Sequence, residues 1–193
     1  METIQRTVCL GSRMYVPAKI VTHIFVAVGL EAVFSAFNFL IINKQYGLKG
    51  SAMMLYSISE YQYTPFDMSV LDFYFFIVLW KCIGFAIIAI VMTLIAEIVK
   101  NTYVVFILII GFICGSLYLS GFDNGITVVE KIFTMVSPFS LLKTGEIGIT
   151  LKEINVYGHF IPLQNGIFFV QIVLIMIILA ITYLVEKGRR AIR

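Results

Sequence analysis

Few side chains of this 193-residue sequence could do chemistry, and the most unusual are two charges set in apolar runs. Glu31 interrupts IVTHIFVAVGLEAVFSAFNFLII (20–42), and Lys81 interrupts FYFFIVLWKCIGFAIIAIVMTLIA (73–96). Charge in an apolar medium is kept where it is paired or hydrated, so Glu31 and Lys81 suit an intramembrane ion pair, or Glu31 a polar path. Two histidines, His23 and His159, and three cysteines, Cys9, Cys82 and Cys114, are widely scattered. They form no H-E-x-x-H or C-x-x-C spacing, so no metal site is expected. Isolated cysteines in apolar runs are expected to be buried, inert thiols. Ser116 and Ser120 stand beside glycines with no histidine near in depth, which fits helix contacts better than a nucleophile. No glycine-rich phosphate loop is present. Catalysis by this chain is therefore not expected, nor is a cofactor.

The composition decides what must position these groups. It is 60% hydrophobic and 13% charged, against about a quarter charged in soluble domains. Soluble enzymes and nucleic-acid-binding proteins are excluded. A membrane span needs about 20 apolar residues, and four stretches qualify: 20–42, 73–96, 102–122 and 166–185. The expected fold is all-α, a polytopic membrane protein with four transmembrane helices in one domain. The first span holds 14 Ile, Leu, Val and Phe. They favour insertion by roughly 6 kcal/mol, and Glu31 at the centre costs about 3.

The second and third spans form a hairpin around a short polar elbow, Glu97 to Asn101, with Lys100 at its tip. Before the first span, Ile4 and Val8 lie one turn apart. They predict an amphipathic helix over Glu2–Leu10, ended by Gly11 and Ser12, with Pro17 starting the next. The connection 43–72 is too polar to sit in lipid, and 123–165 is a longer connection. Within the second, Ile126–Val136 is apolar enough to lie on or dip into the membrane, and Ser137-Pro138 breaks it. The stretch IGITLKEINVYGHFIPL is either extended or an interfacial helix.

Charge sets the orientation. With four spans, the N-terminus, the elbow and the C-terminal tail share one side. That side holds Arg6, Arg13, Lys19, Lys100, Lys187, Arg189, Arg190 and Arg193 against Glu2, Glu97 and Glu186. The other side holds five lysines and seven acids in long loops. Positive residues in short segments mark the cytoplasmic side, so both termini are expected there. Glu31 then lies about 16 Å into its span and Lys81 about 12 Å into its own from the other face. In a core about 30 Å thick the two depths nearly coincide.

Several soft features together resemble the type-2 permease of ATP-binding cassette transporters, the six-helix membrane subunit of many bacterial exporters. A basic segment ends in a lysine before a span, GSRMYVPAKIV, and an outer loop YTPFDMSVLDFY leads into a long helix. That helix ends in the elbow LIAEIVKNTYVVF, SPFSLL precedes the last span, and the tail is basic. The resemblance covers nearly all of the chain but not the family's first two spans, so a fragment or a shortened relative is expected. It implies a multi-pass protein of the bacterial cell membrane, a separate ABC ATPase subunit as partner, and a second permease subunit forming a dimer in the lipid bilayer. It also implies coupling contacts to the ATPase through Ile4, Arg6, Val8 and Arg13, with Glu97 and Lys100 of the elbow as a second contact. Gly111 and Gly115 would pack at a helix or subunit seam. The competing expectation is a four-span regulatory or immunity protein without transport activity.

Overall fold

The computed structural model describes residues 9–47, 49–64, 66–99, 101–120, 132, 134–143, 153–156 and 159–191. For 9–16, 46, 120, 153–156, 159–165 and 181–191 it describes the backbone alone. The elements in order are α1 (Cys9–Tyr46), α2 (Val70–Ile98), α3 (Thr102–Ser120), a 3₁₀ segment (Pro138–Lys143), β1 (Glu153–Val156), β2 (His159–Pro162) and α4 (Leu163–Ala191). Two 3₁₀ turns, Leu55–Ser57 and Ser59–Tyr61, lie between α1 and α2.

Among the described residues three helical stretches are long and apolar enough to cross a membrane: Pro17–Gln45, Val70–Ile98 and Thr102–Leu119. They coincide with the first three expected spans. The fourth falls within α4, where Gly166–Ala180 is a shorter apolar run. Large apolar side chains stand outward along these helices, among them Phe25, Phe34 and Phe37 on α1 and Phe106 and Ile107 on α3. Apolar exterior on this scale marks a surface that meets lipid or protein rather than water.

One expectation is corrected here. Gly11 and Ser12 do not end a helix, and Pro17 does not start one: all three lie inside α1, which is continuous for 38 residues. Glycine and serine cost a helix interior only about 1 kcal/mol or less. Proline removes one internal hydrogen bond, which the bonds on either side of it can outweigh. The helical class holds for the body of the fold. Among the described residues a small pair, β1 and β2, is added to it, antiparallel from Glu153↔Pro162 to Val156↔His159. Of the stretch left open between extended and helical, 153–156 and 159–162 are extended.

The helix ends follow from local chemistry. Gly47 closes α1 with φ 69°, its N–H donating to the Asn43 carbonyl at 2.9 Å, a left-handed cap that suits glycine. Ser69 caps α2: its Oγ accepts from the Asp72 N–H at 3.1 Å, and its hydroxyl donates to Asp72 Oδ2 at 2.6 Å. Asn101 Oδ1 accepts from the Tyr103 N–H at 3.0 Å and opens α3.

Helix α2 is central. It packs along α1 on one side and against the 3₁₀ segment, α3 and α4 on others. The buried cluster is Ile87, Met135, Leu141 and Ile167, with Trp80, Ile83, Val170 and Ile175 packed on it. Residues 134–143 thus lie among α2, α3 and α4 rather than outside them.

Candidate functional site

Two polar arrangements are built on α2. The first is a seam along α1. Lys19, His23, Glu31 and Ser35 fall on one stripe of α1, because residues four apart stack on the same face of a helix. Thr93 and Glu97 fall likewise on α2. Lys19 Nζ meets Glu97 Oε1 at 2.9 Å. One turn on, His23 Nδ1 lies 2.7 Å from Thr93 Oγ1. The Thr93 hydroxyl donates to the Ala89 carbonyl at 2.7 Å, so the shared proton belongs to His23 Nδ1. Further along, the Ser35 hydroxyl donates to Glu31 Oε1 at 2.9 Å, and the Tyr74 hydroxyl donates to the Ser35 carbonyl at 2.6 Å.

Among the described residues Glu31 and Lys81 form no ion pair: Glu31 accepts from Ser35 of its own helix, and the pair across the seam is Lys19–Glu97. Breaking that pair by Lys19→Ala should cost about 1 kcal/mol, the scale of a partly exposed pair. The swap Lys19→Glu with Glu97→Lys should recover most of the loss from either single change. Thermal unfolding of the four proteins in micelles as a double-mutant cycle checks this.

The second arrangement is the seat of residues 134–143. Gly84, midway along α2, lets them approach closely: a Cβ built there would lie 3.0 Å from Leu142 Cδ2, 3.2 Å from Leu141 Cβ and 3.5 Å from the Pro138 carbonyl oxygen. The exposed backbone of this turn is satisfied by side chains. Gln171 Nε2 of α4 donates to the Met135 carbonyl at 2.7 Å and the Val136 carbonyl at 3.0 Å. The Ser137 hydroxyl donates to the Ser116 carbonyl of α3 at 2.7 Å, and that of Ser140 to the Thr134 carbonyl at 2.5 Å. Ser137, Ser140 and Gln171 are buried. Buried irregular backbone needs partners for its polar groups, and these side chains supply them to the carbonyls of Thr134, Met135 and Val136.

The remaining sequence candidates stand apart from both arrangements. Gly111 and Gly115 face open space, with no atom of another element within 4 Å of a built Cβ. Cys82 is half-buried, and Cys114 is exposed on α3 rather than buried. Ile4, Arg6, Val8 and Lys100 lie outside the described residues, and Arg13 and His159 are described by backbone alone. Sequence reasoning missed Lys19 as a partner of Glu97, His23 with Thr93, and Gln171 as a cap. The spacing of four through Lys19, His23, Glu31 and Ser35 was the available signal for the seam.

Comparison with known proteins finds no matching family model, no matching curated protein and no matching solved structure.

Proposed function

We propose that this chain is the membrane-spanning permease subunit of an ATP-binding cassette exporter in a bacterial cell membrane, driven by a separate ATPase subunit. In this reading α1 to α4 all span, and both termini and the α2–α3 junction face the cytoplasm. The observation that carries it is the 134–143 segment seated against the middle of α2. Gly84 is about 21 Å from either end of that helix, so in this reading the segment lies near mid-bilayer. Membrane proteins that move solutes hold irregular backbone at this depth, and a purely regulatory four-span protein has no need of it.

The seam supplies the coupling. The segment before α1 and the junction after α2 are the two surfaces proposed to meet the ATPase. Lys19–Glu97 ties them together at the base of one helix pair. A push on either moves α1 and α2 as a unit, and α2 carries the seat of the 134–143 segment. A second permease subunit would cover the open face of α3 that bears Gly111 and Gly115.

The intact chain is expected to co-purify from native membranes with an ATPase carrying a phosphate-binding loop. Deleting residues 2–12 should reduce the recovered ATPase at least tenfold while the chain still inserts. Unchanged recovery after the deletion, or an intact chain that brings down no nucleotide-binding protein, contradicts the proposal.

A further inference from the structure

The outer half of the α1–α2 pair carries a groove that adjoins the seam at Ser35 and Tyr74 and lies apart from the seat. Ala32, Ala36 and Leu40 line it along α1, and Tyr74, Phe75 and Val78 along α2. Its volume is about 340 Å³, and its walls are almost wholly apolar. From Ala32 to Leu40 it runs about 12 Å. An apolar-walled groove of this length accommodates a hydrocarbon chain lying along it.

The charge at its mouth names the other end of the occupant. Ala32, Ala36, Leu40 and Lys44 follow one another at every fourth residue of α1, so the groove wall leads to Lys44 in the last turn. Lys44 is exposed, and no carboxylate among the described residues pairs with it. The Asp72 carboxylate, in the first turn of α2, accepts the Ser69 hydroxyl instead. From Ala32 to Lys44 the rise is about 18 Å, close to the ~15 Å of one leaflet's hydrocarbon. An amphiphile seated here has its tail ending near mid-membrane and its head at the lysine.

We propose that this groove binds one acyl chain of an anionic phospholipid, with Lys44 holding its phosphate. The proposal rests on the membrane placement of α1 and α2 and not on the ATPase, so failed ATPase association leaves it standing.

Trp80 is the sole tryptophan, which makes a fluorescence test direct. In a Trp80→Phe background, Phe75→Trp places a reporter in the groove and Phe34→Trp places one on the exposed exterior of α1. Each protein is reconstituted in phosphatidylcholine vesicles with a small mole fraction of mid-chain-brominated phosphatidylglycerol or brominated phosphatidylcholine. At the groove the anionic lipid is expected to quench with about fivefold preference, as one lysine at a headgroup provides. The exterior reporter should show no preference. Lys44→Gln should remove the preference, and Ala36→Phe, which fills the groove, should remove the excess quenching. Equal quenching by both lipids at the groove overturns the proposal, as does a preference that survives either substitution. Protection of the groove reporter from both lipids also overturns it, because a second copy or another protein then covers the groove.

Discussion

Replacing Gly84 with leucine is expected to cost about 3 kcal/mol, the upper range for overpacking a fitted core, and to drive residues 138–143 off α2. The reason is the close approach. A single Cβ would already lie at 3.0 Å from Leu142 Cδ2, which is the mobile end of a side chain and can turn away. It would also lie at 3.2 Å from Leu141 Cβ, and Leu141 is only 2% exposed and has nowhere to go. Leucine adds three further carbons in the same direction. Alanine is the informative contrast. Its crowding is a few tenths of an ångström, and it regains about 1 kcal/mol of helix propensity over glycine. Gly84→Ala should therefore unfold close to wild type and Gly84→Leu well below it, measured by heating the purified proteins in micelles. Equal stability of the three would mean that the seat is not where the structure has it.

Gln171→Leu should have the next largest effect, about 2 kcal/mol. Met135 and Val136 end a helical turn just before Ser137-Pro138, so their carbonyls lack partners within it. The two protons of the Gln171 amide supply both. Leucine keeps most of the volume and leaves two buried acceptors bare. Each such loss costs about 1–3 kcal/mol in soluble proteins, and measured values in membranes average nearer 0.6. The sum for two bonds in a buried seat falls between these limits. Shape and charge separate the variants. Asparagine is one carbon too short to reach and should resemble leucine. Glutamate presents an acceptor to two acceptors and should be worse than either. If glutamate matches glutamine in thermal unfolding, the amide is not the cap.

The parts of this fold visible in the sequence are those that composition and local signals determine. The first three spans appear as apolar runs because lipid selects for mean composition over about 20 residues, and their bounds agree with Pro17–Gln45, Val70–Ile98 and Thr102–Leu119 to within a few residues. The break at Ser137-Pro138 was visible as well. What was hidden depends on which helices are neighbours. Depth counting brought Glu31 and Lys81 level, but depth does not choose partners: Glu31 accepts from Ser35 of its own helix, and the charge pair between α1 and α2 among the described residues is Lys19–Glu97. Gln171 is one polar residue in an apolar run, and its partners are 36 and 35 residues away in sequence. Nothing local to Gly84 shows that a second backbone crosses it. Gly11, Ser12 and Pro17 misled in the opposite sense. Their breaker signals are worth only a few kcal/mol together, and the continuous α1 overrides them.

The functional reading stands on the seat of the 134–143 segment, and one measurement tests it most directly. In a background lacking Cys9, Cys82 and Cys114, Ser140→Cys replaces a buried hydroxyl with a thiol of similar size. Sealed membranes are treated with a membrane-impermeant maleimide, first from one face and then from the other, with Lys49→Cys in the exposed loop after α1 as a reactive control. The structure predicts that position 140 stays unlabelled from both faces while position 49 reacts, and that Gly84→Leu makes 140 reactive. Labelling of 140 from one face as fast as 49, with Gly84 intact, would place the segment outside the helices and contradict the account.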